Sequence, residues 1–149
     1  MSGVSTQEIC AGLSVRLDTQ QLRNLGGCRT NASAGPPDRA VQGPHQFLIL
    51  EIDAARNECL AVPLFTNQAP GNRLLDKLRM TGTLPAWLNG TYHYSIYQHW
   101  WIPLAHIPGT SGTEITAAGS RSYYARTDAA ELASIAGTIA MNKFGFRAI

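Results

Sequence analysis

His45 and Thr66 bracket the stretch HQFLILEIDAARNECLAVPLFT, and their types and spacing could combine into chemistry. Histidine has a reference pKa near neutrality, so it can take or give a proton under ordinary conditions. A threonine hydroxyl can donate a hydrogen bond to a phosphate oxygen. Arginine holds phosphate charge through paired N–H donors, and Arg73, Arg79, Arg121 and Arg126 follow later in the chain. A proton-transfer group, a hydroxyl and a permanent cation together suit reactions at a phosphate ester. If they do not converge, His45 merely caps a strand and Thr66 merely ends one.

The elements that must position these residues follow from the pattern around them. His45–Asp53 and Glu58–Thr66 are apolar runs of strand length flanking Ala54-Ala55-Arg56-Asn57, which predicts a β-hairpin. A loop centred on Ala55-Arg56 sets His45 directly opposite Thr66. It also groups Gln46, Leu48, Leu50 and Ile52 with Cys59, Ala61, Pro63 and Phe65 on one face. Phe47, Ile49, Leu60, Val62 and Leu64 share the other. A slip of one residue would undo the arrangement, because it moves a side chain to the opposite face. Both faces are apolar at their centres, so both are expected to be covered. Pro63 has no N–H to give to a ladder, which marks the second strand as an edge or bulged strand near its end.

Upstream, residues 11–18 (AGLSVRLD) alternate as a first short strand. Residues 19–44 are expected to be a long flexible loop, with one or two helical turns in TQQLRNLGG and a Gly- and Pro-rich remainder. Loops beyond about 12–15 residues are uncommon in compact domains unless functional or disordered. This one carries Arg23, Arg29 and Arg39 against Asp38 alone, so it is either a basic flap contacting a substrate or an inert insertion. Downstream, Asn72–Met80 predicts a short helix with Asn72 as its cap. Residues 91–107 (TYHYSIYQHWWIPLAHI) alternate as one or two strands, with Tyr92, Tyr94 and Ile96 on one face. Trp100 and Trp101 then point in opposite directions. These aromatics could stack on bases, as in single-strand binders, or fill a core. RSYYAR (121–126) reads as a last short strand. Asp128-Ala-Ala-Glu131 opens a C-terminal helix, with Leu132, Ile135, Ala136 and Ile139 at helical spacing.

Composition narrows the classes. At 149 residues, the chain is expected to form a single domain, 1–149, large enough to fold without disulfides. Cys10, Cys28 and Cys59 lie far apart with no C-x-x-C pair, which argues against a disulfide framework and for a reducing compartment. The four histidines have no recognised metal spacing, so neither a metal nor another cofactor is expected. Phosphate-loop, zinc-protease, hydrolase-elbow and dinucleotide motifs are absent. No export signal and no apolar run near the roughly 20 residues of a membrane span is visible, so the expectation is a cytoplasmic protein with no membrane partner. The net charge of +2 is small, but residues 67–149 hold seven Lys/Arg against four acids.

A short strand, a long loop, a Gly43-Pro44-His45 entry into an apolar strand, and VPLFT ending on Thr66 together resemble the MazF/PemK-like toxin endoribonucleases. The resemblance covers residues 11–66 and, by order of elements, the terminal helix. It implies a mainly β (α+β) fold: a small SH3-like β-barrel with a C-terminal helix and one short internal helix. It also implies a homodimer, an antitoxin protein as partner, and cleavage of single-stranded RNA without a metal. In that family an Arg starts the second strand and a Thr or Ser ends the third. Thr66 matches the latter, whereas His45 stands where the Arg is expected and Phe47 replaces the usual following Pro. Metal-free RNA cleavage needs a base for the 2′-hydroxyl, an acid for the leaving oxygen and a cation for the phosphorane. His45 beside Thr66 and a nearby arginine would suffice. The alternative is a non-catalytic small-barrel module that binds nucleic acid or a protein, and a third option is a structural subunit whose strands complete a dimer.

Overall fold

A computed structural model of the chain describes residues 4–32, 39–75, 91–111, 129–140 and 145–149. Along the described residues run β1 (Ser14–Asp18), α1 (Thr19–Leu25), β2 (Arg29–Thr30), β3 (Pro44–Asp53), β4 (Glu58–Phe65), β5 (Asn72–Leu74), β6 (His93–Ser95), β7 (Trp100–Pro103), α2 (Ile107–Thr110), α3 (Ala129–Ala140) and β8 (Arg147–Ala148). The strands form one antiparallel sheet in the order β1-β3-β4-β7-β2-β8, with β6 joining β4 and β5 joining β6. The architecture is mainly β, small and barrel-like, as the strand pattern and the resemblance both implied.

The hairpin exists, but its register changes partway along. Near the turn the pairs are those expected: Asp53 with Glu58, Ile52 with Cys59, Glu51 with Leu60. A β-bulge then inserts Leu50, and beyond it Ile49 pairs with Ala61, Leu48 with Val62 and Phe47 with Pro63. One extra residue on one strand offsets every later pair by one. His45 therefore does not face Thr66, and the expected face groupings are corrected. Phe47 and Ile49 join Cys59, Ala61, Trp100 and Ile102 in one core, and Leu48 and Leu50 join Leu60, Val62, Leu64 and Tyr94 in the other. Both faces are covered, as their apolar centres required.

Strand β4 is not an edge. It borders β3 on one side, and on the other it meets β7 through Glu58–Ala61 and β6 through Leu64–Phe65. Val62 and Pro63 fall at the changeover between those two neighbours, where a residue lacking an N–H breaks no ladder.

Two further expectations are corrected. Asn72–Leu74 is a strand rather than the start of a helix, because pairing with β6 overrides local preference; residues 76–80 of that expected helix lie outside the described residues. Much of 19–44 is built into the fold rather than loose. The helical turns expected in TQQLRNLGG form as α1, which the Asp18 side chain caps by accepting from the Gln20 and Gln21 amides. Strand β2 pairs with both β7 and β8, and Leu22, Cys28 and Val41 are core residues. Residues 33–38 lie outside the described residues, as do the strand expected at 121–126 and the cap at Asp128.

The aromatic stretch divides as its alternation predicted. Trp100 is fully buried against Phe47 in the first core, and its indole N–H donates to Gln98 Oε1 at 2.9 Å. Trp101 packs on the second, beside Tyr92 and Ile96. Helix α3 lays Leu132, Ile135 and Ala136 on that second core. Leu50→Ala and Leu132→Ala should each cost about 2–5 kcal/mol, as buried large-to-small changes do. Urea unfolding checks this, and an unchanged midpoint for either would place that side chain outside the core.

Buried His99 should make the fold acid-sensitive. Burial pushes its pKa down to about 4, its Nδ1 has no hydrogen-bond partner, and its ring lies against Phe146 beside β8. Between pH 6.5 and 4 the unfolded chain holds the proton that the folded chain refuses, so stability must fall as pH drops through that window. The melting temperature should decline from pH 6.5 toward 4, and more shallowly in His99→Leu. Equal slopes would assign the linked proton to another group.

Candidate functional site

The end of the hairpin remote from its turn is where the candidate residues collect. Strand β1 pairs with β3 so that Arg16 meets Gln46 and Leu17 meets His45. Strand β4 ends at Phe65, and the segment after it turns back toward β5. That turn is tied by the Asn72 amide donating to Ala69 O at 2.9 Å and by the Asn72 side chain donating to Asn67 O at 3.1 Å. Between these elements lies an open cleft of about 470 Å³, whose walls include Arg16, His45, Gln46, Phe65, Thr66 and Tyr92.

His45 sits in an aromatic corner. Its ring centroid lies 5.1 Å from that of Phe65 and 6.1 Å from that of Phe47, both edge-on. Burial lowers its pKa, the Leu64 backbone acts in the opposite direction, and the Arg16 guanidinium lowers it further. The imidazole is therefore neutral at pH 7, the form that can accept a proton. Its Nε2 is shielded from solvent and has no hydrogen-bond partner. His93 and His99 each also bury an unpartnered Nδ1, but of the three only His45 lines this cleft. Burial raises the pKa of the Tyr92 phenol, so it keeps its proton at neutral pH.

The bulge decides how the two sequence-picked residues relate. The shifted register brings His45 beside Phe65, and Thr66 follows β4 as the first residue past its end. Both still line the same cleft, without facing each other across a strand pair.

The arginines scatter. Arg73 is exposed on β5 opposite Tyr94 and lines neither cleft described here. Arg29 donates to Glu58 at 2.6 Å and stands over Trp101 and Phe146, 5.8 and 5.9 Å from their centroids, so it is held by the fold. Arg39 lines a neighbouring cleft of about 520 Å³ that shares Phe65, Ala69 and Asn72 with the first. Arg79, Arg121 and Arg126 lie outside the described residues. The cation that lines the cleft with His45 is Arg16, which the sequence reading passed over; Tyr92 entered that reading only among the aromatics that could stack on bases or fill a core. Arg16 was legible as an outward position of the alternating first strand; only the β1–β3 pairing, which sets it opposite Gln46, brings it to the same cleft as His45.

Chemically, the cleft offers a neutral imidazole, a guanidinium, a protonated phenol, a hydroxyl and the Gln46 amide. The last donates to Ser14 Oγ at 2.6 Å. Among the described residues no three His, Cys, Asp or Glu side chains cluster as metal ligands, and no helix is long and apolar enough to cross a membrane. Compared with known proteins, the chain matches no family model, no curated protein and no solved structure.

Proposed function

We propose that this chain is a toxin-like endoribonuclease that cleaves single-stranded RNA without a metal. The observation that supports the proposal is the meeting of His45, Arg16, Thr66 and Tyr92 in one open cleft. In this mechanism the His45 ring turns so that its shielded Nε2 reaches the cleft, and the neutral imidazole takes the proton of the 2′-hydroxyl as O2′ attacks phosphorus. Arg16 holds the charge on the phosphorane, and Thr66 donates to a non-bridging oxygen. The P–O5′ bond breaks as the Tyr92 phenol gives its proton to the departing oxygen. The products are a 2′,3′-cyclic phosphate and a 5′-hydroxyl. The resemblance to MazF/PemK-like toxins supports the same class. On it rest the further proposals of a homodimer, an antitoxin protein that restrains the activity, and a cytoplasmic site of action.

One observation favours the alternative of a non-catalytic barrel that binds nucleic acid or protein. The His45 ring packs edge-on to two phenylalanines, as a purely structural ring would.

The purified protein, given a long mixed-sequence RNA in EDTA, should leave fragments ending in 2′,3′-cyclic phosphate. His45→Ala should cut on the order of 10²–10⁴-fold more slowly with its fold intact, Arg16→Ala should also be severely impaired, and Thr66→Ala should be weakened. Because His45 must be neutral and its pKa is lowered, the rate should hold as pH falls to the ordinary histidine value of 6.5 and drop only below it. Binding without cutting would leave the module reading. Specific cutting that survives His45→Ala would move the base elsewhere.

A further inference from the structure

The second cleft adjoins the first, and the proposed chemistry leaves it without a role. It measures about 520 Å³ and meets the His45 cleft along Phe65, Ala69 and Asn72. A volume of this order accommodates a small ligand. Its walls combine apolar surface from Ala32, Phe65, Ala69 and Pro70 with Tyr97 and Arg39. Tyr97 is 48% exposed, unusual for an aromatic in a chain whose Trp100 and Tyr94 are buried.

That ring is held rather than loose. Gly71 has φ +85° and approaches the Tyr97 ring so closely that a Cβ at position 71 would collide with it. The Tyr97 amide donates to Ser95 Oγ at 3.1 Å, and the Ile96 amide donates to Gly71 O at 2.9 Å. Tyr97 is thus backed on one side by a glycine while about half of its surface remains open. Arg39 is fixed through its backbone. Gln98, itself buried, donates from Nε2 to Arg39 O at 3.0 Å and accepts at Oε1 from the Val41 amide and the Trp100 indole. The guanidinium belongs to an exposed residue of a cleft whose lining also includes Asn72, Ser95 and Gln98.

An anchored aromatic, an apolar wall and a rim cation match what an unpaired nucleobase and its phosphate require. Bases of any sequence present a π-face to stack, and a guanidinium tracks the backbone. We infer that the cleft between Tyr97 and Arg39 is a nucleotide subsite, which stacks the base adjoining the phosphate held at His45 and Arg16. The subsite rests on the endoribonuclease reading for the position of the scissile bond. Its ligand class, a single-stranded nucleotide, is argued from its own walls. Continuity along Phe65, Ala69 and Asn72 gives one strand a path through both clefts. A stacking face beside a guanidinium suits a base and its phosphate, so the occupant proposed is a single-stranded nucleic acid.

Binding separates the subsite from the chemistry. Short all-2′-deoxy oligonucleotides lack the attacking hydroxyl and are not cleaved, so their fluorescence anisotropy reads affinity alone. Wild type should bind them at low salt. Tyr97→Ala should weaken binding about 5- to 150-fold, the equivalent of one lost base stack. Tyr97→Phe should restore it, whereas Tyr97→Leu, which keeps an apolar contact with Gly71 but has no π-face, should not. Arg39→Ala should weaken binding and flatten its salt dependence. Tyr97→Ala and Tyr97→Leu binding as wild type does, while Arg16→Ala abolishes RNA cutting, would overturn the subsite and leave the proposed function standing. Loss of binding in Tyr97→Leu with wild-type melting, in a protein that cuts no RNA, would support the subsite and sink the catalytic reading. Failure of wild type to bind any oligonucleotide would sink both.

Discussion

Strand β4 has no solvent face. From Glu58 to Leu64 every side chain is buried, because the strand lies between β3 and the pair β7 and β6 while each of its surfaces covers a different core. A strand so enclosed admits little but apolar side chains, and an alternating polar pattern would bury a polar group at every second position. The polar exception, Glu58, pairs with Arg29 at 2.6 Å, with Arg56 at 3.7 Å further out. Removing one partner of such a pair strands the other in low dielectric. That is the physical reason Arg29 belongs to the scaffold rather than to a ligand site.

The bulge at Leu50 follows from the same enclosure. Two cores must be filled by one hairpin, and the extra residue lets Leu48 and Leu50 pack with Val62 and Leu60 while Phe47 and Ile49 reach Trp100. Past the bulge, the offset register carries the His45 ring to Phe65 and leaves Thr66 just beyond the strand. The cleft exists because β4 stops there, and the chain must turn through Asn67–Gly71 before β5 can pair with β6. Site and fold are therefore coupled: a change that removed the bulge would move His45 relative to everything around it.

His45 and Arg16 line one cleft and are coupled electrostatically. Burial and Arg16 both favour the unprotonated imidazole, and burial keeps the Tyr92 proton in place. In both groups burial favours the uncharged form. Tyr97, Arg39 and Gln98 line the adjoining cleft, which shares Phe65, Ala69 and Asn72 with the first.

Much of the fold was legible because it is local. Alternation in residues 11–18, the paired apolar runs about Ala55-Arg56, the opposed Trp100 and Trp101, and the helical spacing of Leu132, Ile135 and Ala136 are all periodicities of a few residues, and each names an element or a face. His45 and Thr66 were likewise found from their place at strand ends. What the sequence could not carry was anything decided between distant segments. A β-bulge has no composition signal, so the offset that separates His45 from Thr66 is invisible until both cores are packed. Arg16 lies 29 positions before His45, and only the pairing of β1 with β3 brings it to the same cleft. Asn72 followed by Leu74, Leu75 and Leu78 has the spacing of a helix start, yet Asn72–Leu74 is a strand because β6 offers it hydrogen bonds. Side-chain period is a property of the chain, whereas register and adjacency belong to the packed sheet, where one residue of offset exchanges one face for the other.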